Sequence, residues 1–220
     1  MQPAGSDVER LSARIDRDLP ARWAAWPGGW PGEIEVALID AVFSIQSRYA
    51  GVQHVIDRWR ASRGTGHLDD LAKLTSFAGR GDALAELLGN RQRVPGGSAL
   101  KAEAVVEAAT RLVCIGVSQS DRFDGRNDDQ RRAYTGVKGL GEVTWIYLGM
   151  LLGTPGVKAD TMIQRFVSTA LGRAVGAEES RFLVEAVAKH RCVSATTLDN
   201  AIWSYQRGVS RSGRPNGAPS

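Results

Sequence analysis

A pair of glycines and an aspartate downstream of it are the residues of this chain best suited to chemistry. The stretch AYTGVKGLGEVTWIYLGM, residues 133–150, sets Gly139 and Gly141 one residue apart between Lys138 and Glu142, inside a chain of otherwise helical spacing. Two glycines between short helices let the backbone turn with positive φ and leave amide N–H groups at the next helix start facing outward. Such a turn is an anion site, or only a tight structural turn. If the anion is a DNA phosphate, the contact fixes register without reading sequence. Asp160 stands directly before a helical pattern that begins at Thr161, where aspartate is a preferred cap. A cap position is also a rigid mount for a reactive carboxylate, so the two roles are compatible.

The elements that must carry these residues are helical throughout. Ile34, Ala37, Leu38, Ala41, Val42 and Ile45 form one long apolar stripe that predicts a helix ending at Gly51, and Val52, Val55, Ile56 and Trp59 repeat the pattern. Shorter pieces follow at 68–74 and 82–88, then a loop, GNRQRVPGGS, after which Ser98 is placed to cap a helix carrying Leu100, Ala104, Val105, Ala108 and Leu112. Further helices are predicted near 129–135, 142–152, 160–171, 177–190 and 197–207. Thr196 and Asp199 have capping-box spacing at the start of the last. Alternating patterns never persist, so the expected class is all-α with about ten helices. WPGGWPG at 26–32 reads as a rigid turn burying two indoles.

The totals limit the function. The formal net charge of +4, with acidic and basic residues interspersed, suggests a basic face that tolerates a nucleic-acid partner. Cys114 and Cys192 are too few for a disulfide framework, a four-thiolate zinc site or an iron–sulfur cluster, and are expected to be buried or half-buried reduced thiols. The three histidines lack metal-ligand spacing, so no metal site is expected. No stretch has the apolar length of a membrane span. The expectation is a cytoplasmic monomer.

The string VKGLGEVTWIYLGMLLGTPGVKADTMIQRF resembles the helix-hairpin-helix and Gly/Pro…Asp signature of the endonuclease III superfamily of DNA glycosylases. Gly139-Leu140-Gly141 matches the hairpin, and the run from Asp160 to Arg165 matches an Asp-Thr-His-x-x-Arg sequence, with Met162 in place of histidine. Upstream, AVFSIQSRY and LKAEAVVEAATRLV resemble two further helices of the family, so that the likeness spans roughly residues 33–171 in the right order. The resemblance implies two helical lobes: residues 33–153 with the hairpin, and 1–32 with 154–208, followed by a disordered tail at 209–220. It implies double-stranded DNA as partner, a nucleoid-associated location, and a monovalent cation on the hairpin carbonyls. Lys138, Gly139, Leu140, Gly141, Thr144 and Lys158 would then contact DNA, and Gln46 would enter the gap left by an extruded base. Asp160 would stabilise positive charge developing on the sugar or orient the attacking water.

Two departures narrow the reading. Strand-cleaving members carry a lysine two residues after the second glycine, whose amine attacks the sugar; here that position is Val143. Members with an iron–sulfur cluster carry four cysteines after the aspartate's helix, where this chain has only Cys192. The expectation is therefore a monofunctional glycosylase that excises a damaged or modified base with water, in base excision repair, in defence against modified DNA or in self-protection. Tyr49, Val143 and Trp145 are the candidate lining of its pocket, although Trp145 reads better as core packing on an apolar helix. The rival reading is a non-catalytic helix-hairpin-helix protein that recognises damaged or modified DNA.

Overall fold

The computed structural model describes residues 5–23, 26 and 28–212, and among them the chain is all-α, as expected. It divides into two compact units, one of residues 28–154 and one formed by the residues up to 27 together with those from 155 onward.

The unit of residues 28–154 is built on α2 (Ile34–Phe43), every residue of which is buried. Around it pack α3 (Tyr49–Arg63), α6 (Lys101–Cys114) and α8 (Glu142–Leu151), with the shorter α4 (Ala72–Thr75), α5 (Gly81–Leu88) and α7 (Asp128–Thr135) against α6, α3 and α8. A helix buried on all sides needs partners for its polar residues. Glu35 accepts from Trp59 Nε1 at 3.0 Å, Arg63 Nε at 2.9 Å and the Asp70 N–H at 3.1 Å. Burial raises its pKa while Arg63 opposes the rise. Asp40 accepts from Trp30 Nε1 at 2.8 Å and the Tyr147 hydroxyl at 3.3 Å.

The other unit holds α1 (Gly5–Asp18), α9 (Thr161–Leu171), α10 (Ala177–His190) and α11 (Ala195–Ser212). Leu11 and Ile15 of α1, Ile163 and Phe166 of α9, Leu183 and Val187 of α10, and Leu198 and Ile202 of α11 close one apolar core. Tyr205 meets Phe166 edge-on at 5.8 Å, and Trp203 packs against the same core.

Several local expectations are corrected. α2 stops at Phe43 instead of running to Gly51, which puts Gln46 in a turn. Ser98 does not cap α6; Leu100 is the cap residue, and its N–H is taken by Glu103 at 2.6 Å. Thr196 lies inside α11, its hydroxyl engaged with the backbone of Gly156. α11 continues to Ser212, into the segment expected to be a disordered tail, while 213–220 lie outside the described residues. Both cysteines are exposed and free. Trp26 and Trp30 are half-buried, and Pro27 between them lies outside the described residues. α1 was not foreseen, although Val8, Leu11 and Ile15 have helical spacing.

Candidate nucleic-acid interface

The hairpin sits between α7 and α8, and its two glycines do different work. Gly139 has φ +89, and a Cβ there would lie 2.5 Å from the Cβ of Val94, so both conformation and space demand glycine. Gly141 is extended at φ −149, and a Cβ on it would meet nothing within 4 Å. The expectation that both glycines supply positive φ therefore holds for Gly139 alone. What Gly141 contributes is an uncovered approach to the start of α8. The N–H groups of Gly139, Glu142 and Val143 reach no acceptor among the described residues, whereas that of Gly141 is taken by Thr144 Oγ1 at 3.1 Å. Unpaired N–H groups at a helix start favour an anion.

Charges flank this opening. Lys138 is exposed, and so is Glu142, whose carboxylate at the first residue of α8 would oppose a phosphate. Arg131 draws it aside at 3.4 Å. Leu140, expected among the DNA contacts, is instead 7% exposed and anchors the hairpin to the core, with its N–H on the Val137 carbonyl at 3.0 Å.

The turn after α2 carries Gln46, which is exposed and holds φ +49, a conformation uncommon outside glycine. Tyr49 opens α3 with 52% of its surface exposed, so its ring is free to meet a ligand. Trp145 is not: at 1% exposure it packs on Phe123 and Tyr134, at 4.8 and 5.5 Å between ring centroids, and gives its Nε1–H to the Gly125 carbonyl at 3.1 Å. The expectation of Trp145 as a pocket residue is corrected, since aromatic neighbours and an internal hydrogen bond already occupy it. Val143 is half-buried on the first turn of α8.

Two residues of this region have a part that the sequence does not assign them. Val94 forms the floor beneath Gly139. Lys101 is 2% exposed, and its ammonium meets the carbonyls of Phe43 and Ile45 and the side chains of Ser47 and Gln92. Its position on the face of Ala104, Val105 and Ala108 was the available signal.

In the other unit Asp160 caps α9, its Oδ1 accepting from the Met162 N–H at 2.8 Å and the Ile163 N–H at 3.3 Å. Asp160 and Lys158 are both half-buried. The short bond from the Asp160 N–H to the Lys158 carbonyl, 2.6 Å, tightens the backbone between them. Asp199 of α11 is buried, and one of its oxygens has no hydrogen-bond partner. Burial, and after it the charge of Asp160, pushes the Asp199 carboxyl well above the usual range, with Lys158 opposing. No feature of the sequence singled out Asp199 beyond a helix cap.

A family model described as a domain of unknown function (DUF8548) matches residues 9–207. The chain belongs to the DUF8548 family. No curated protein matches its sequence. Solved structures do resemble it: the H. pylori 3-methyladenine DNA glycosylase MagIII bound to 1,N6-ethenoadenine has a TM-score of 0.65 at 16% identity, over 96% of this chain and 99% of that one. The Schizosaccharomyces pombe 3-methyladenine DNA glycosylase Mag1 in complex with abasic DNA has a TM-score of 0.59 at 15% identity, over 90% and 95%. MBOgg1 in complex with a low-affinity DNA ligand has a TM-score of 0.60 at 14% identity, over 95% of this chain and 72% of that one. This DUF8548 chain therefore has the fold of the helix-hairpin-helix DNA glycosylases. Among its described residues, no helix is long and apolar enough to cross a membrane.

Proposed function

We propose that this DUF8548 protein is a monofunctional DNA glycosylase, hydrolysing the N-glycosidic bond of a damaged or modified base in duplex DNA without cutting the strand. The observation that carries the reading is Asp160, a carboxylate held at a helix start by two backbone N–H groups, in a chain with a glycosylase fold. Because Oδ1 takes both capping bonds, Oδ2 accepts no hydrogen bond from the described residues and has capacity for water or developing sugar charge. Gly139, Gly141, Lys138 and Thr144 would hold a backbone phosphate at the start of α8, with Lys158 as a second contact. Gln46 would fill the stack vacated by the extruded base, beside Tyr49 and Val143 at the pocket. A monovalent cation would sit on the carbonyls of Gly139 and Leu140, which accept no backbone hydrogen bond among the described residues. The protein would act as a monomer in the cytoplasm, on the nucleoid.

One observation favours a second reading. The capping bonds of Asp160 are also what a purely structural aspartate makes, and a damage-sensing binder without catalysis would keep them. Incubation with duplexes bearing a panel of modified bases, followed by alkali, separates the two. The glycosylase yields abasic sites that Asp160→Asn reduces by about a thousandfold, a loss on the scale of one electrostatic stabiliser. Tight duplex binding with no abasic sites on any substrate favours the binder, and strand nicking without alkali contradicts the role given to Val143.

A further inference from the structure

Lys101 is a buried cation with no carboxylate among its partners. Its Nζ lies 3.1 Å from the Phe43 carbonyl, 2.5 Å from the Ile45 carbonyl, 2.8 Å from Ser47 Oγ and 2.9 Å from Gln92 Oε1. Burying an ammonium is costly unless every proton finds an acceptor. Here the acceptors include carbonyls at the C-terminal end of α2, where the helix dipole favours positive charge. The three residues contacted before position 92 bracket Gln46, and the backbone bonds of its two neighbours are long: Ile45 N–H to the Val42 carbonyl at 3.3 Å and Ser47 N–H to that of Ser44 at 3.4 Å. A glutamine with φ +49 needs its surroundings to hold it there. The same lysine ties in the next segment, since its own N–H donates to the Gln92 carbonyl at 2.8 Å and Ser47 Oγ bonds Gln92 Oε1 at 2.7 Å. Two residues on, Val94 floors the hairpin beneath Gly139.

We propose that Lys101 is a positioning residue: its ammonium clamps the turn of residues 44–47 in the conformation that presents Gln46 to duplex DNA, and ties that turn to the segment supporting the hairpin. The DNA half of this statement rests on the glycosylase reading, whereas the clamp itself does not. None of its acceptors is titratable. The charged residues of the same segments are exposed and turned elsewhere, Arg91 to Asp82 and Arg93 to the Ser98 carbonyl.

The test uses the full chain with Lys101→Met, Gln46→Ala and the double variant. Hydrogen exchange at residues 44–48 should quicken at least tenfold in Lys101→Met while α8 is unchanged. Duplex affinity should fall about tenfold in Lys101→Met, but no further when the same change is made in Gln46→Ala. Ser47→Ala, which removes one acceptor and leaves the lysine in place, should shift both readouts the same way by less, and serves if Lys101→Met does not fold. Unchanged exchange at 44–48 overturns the clamp, and equal affinity losses in both backgrounds overturn its link to Gln46. A parent protein that binds no duplex sinks the glycosylase reading, and the exchange result still decides the clamp.

Discussion

Gly139 and Val94 touch so closely that the hairpin has no room for a β-carbon: an alanine at 139 would put its Cβ 2.5 Å from that of Val94, with φ at +89. Gly139→Ala should therefore destabilise the protein by about 2–3 kcal/mol, the sum of backbone strain and overpacking. Gly141→Ala faces open space in an extended backbone and should cost only about 0.5–1 kcal/mol, the preference for glycine over alanine at a helix cap. Urea unfolding measures both. In duplex binding the order changes: Gly141→Val should weaken affinity about tenfold by covering the free N–H groups, at a stability cost below that of Gly139→Ala.

Asp199 supplies a pH test of the carboxyl pair. Its folded pKa lies above its unfolded value, because burial and then Asp160 disfavour the charge. Its contribution to stability is therefore complete below the ordinary carboxylate range and is lost as pH rises from there through the folded pKa. Asp199→Asn, which cannot ionise, should gain stability relative to the parent as pH increases from about 4 to 8. Thermal unfolding of the two proteins over that range checks it, and a difference that stays flat with pH would mean that Asp199 ionises as freely in the fold as outside it.

Lys101 gives the opposite sign. Burial pulls its pKa from 10.5 down to about 8, so that the ammonium is still charged at neutral pH at a cost to the folded state. Between about pH 8 and 10.5 the unfolded chain binds the extra proton and the folded chain does not, and stability rises with pH by this contribution. Compared with Lys101→Met, the parent should become relatively more stable across that window in urea titrations.

Trp145 separates core from pocket. With its ring enclosed by Phe123 and Tyr134 and its N–H on Gly125, Trp145→Ala should cost about 3–5 kcal/mol. Tyr49→Ala, at an exposed helix start, should change stability by less than about 0.5 kcal/mol. If Tyr49 stacks on a base, its loss appears in substrate affinity instead, measured by titration of a duplex carrying an extruded base analogue.

Much of the fold was legible because helical spacing is local. The 177–190 helix and the start of α8 fall where apolar periodicity and glycine put them. The Asp160 cap was legible for the same reason, since its partners are two and three residues away. What was not legible depends on distant residues. Ile45 continues the stripe of α2, yet the helix ends at Phe43, where Lys101, far along the chain, holds the departing carbonyls. Leu140 and Trp145 look like binding residues until Val137, Phe123 and Tyr134 are seen to enclose or hold them. Asp199 matters because of burial and a neighbouring carboxylate, neither of which one helix's sequence reports.

The order in which the chain is made bears on how it folds. α1 shares its core with α9 and α10, which lie beyond the whole of the 28–154 unit. On a ribosome, Leu11 and Ile15 emerge before the 28–154 unit and meet their native partners only after it, while that unit can assemble behind them. The apolar face of α1 thus stays uncovered while a whole unit is made, which makes α1 the segment of the nascent chain most exposed to wrong contacts.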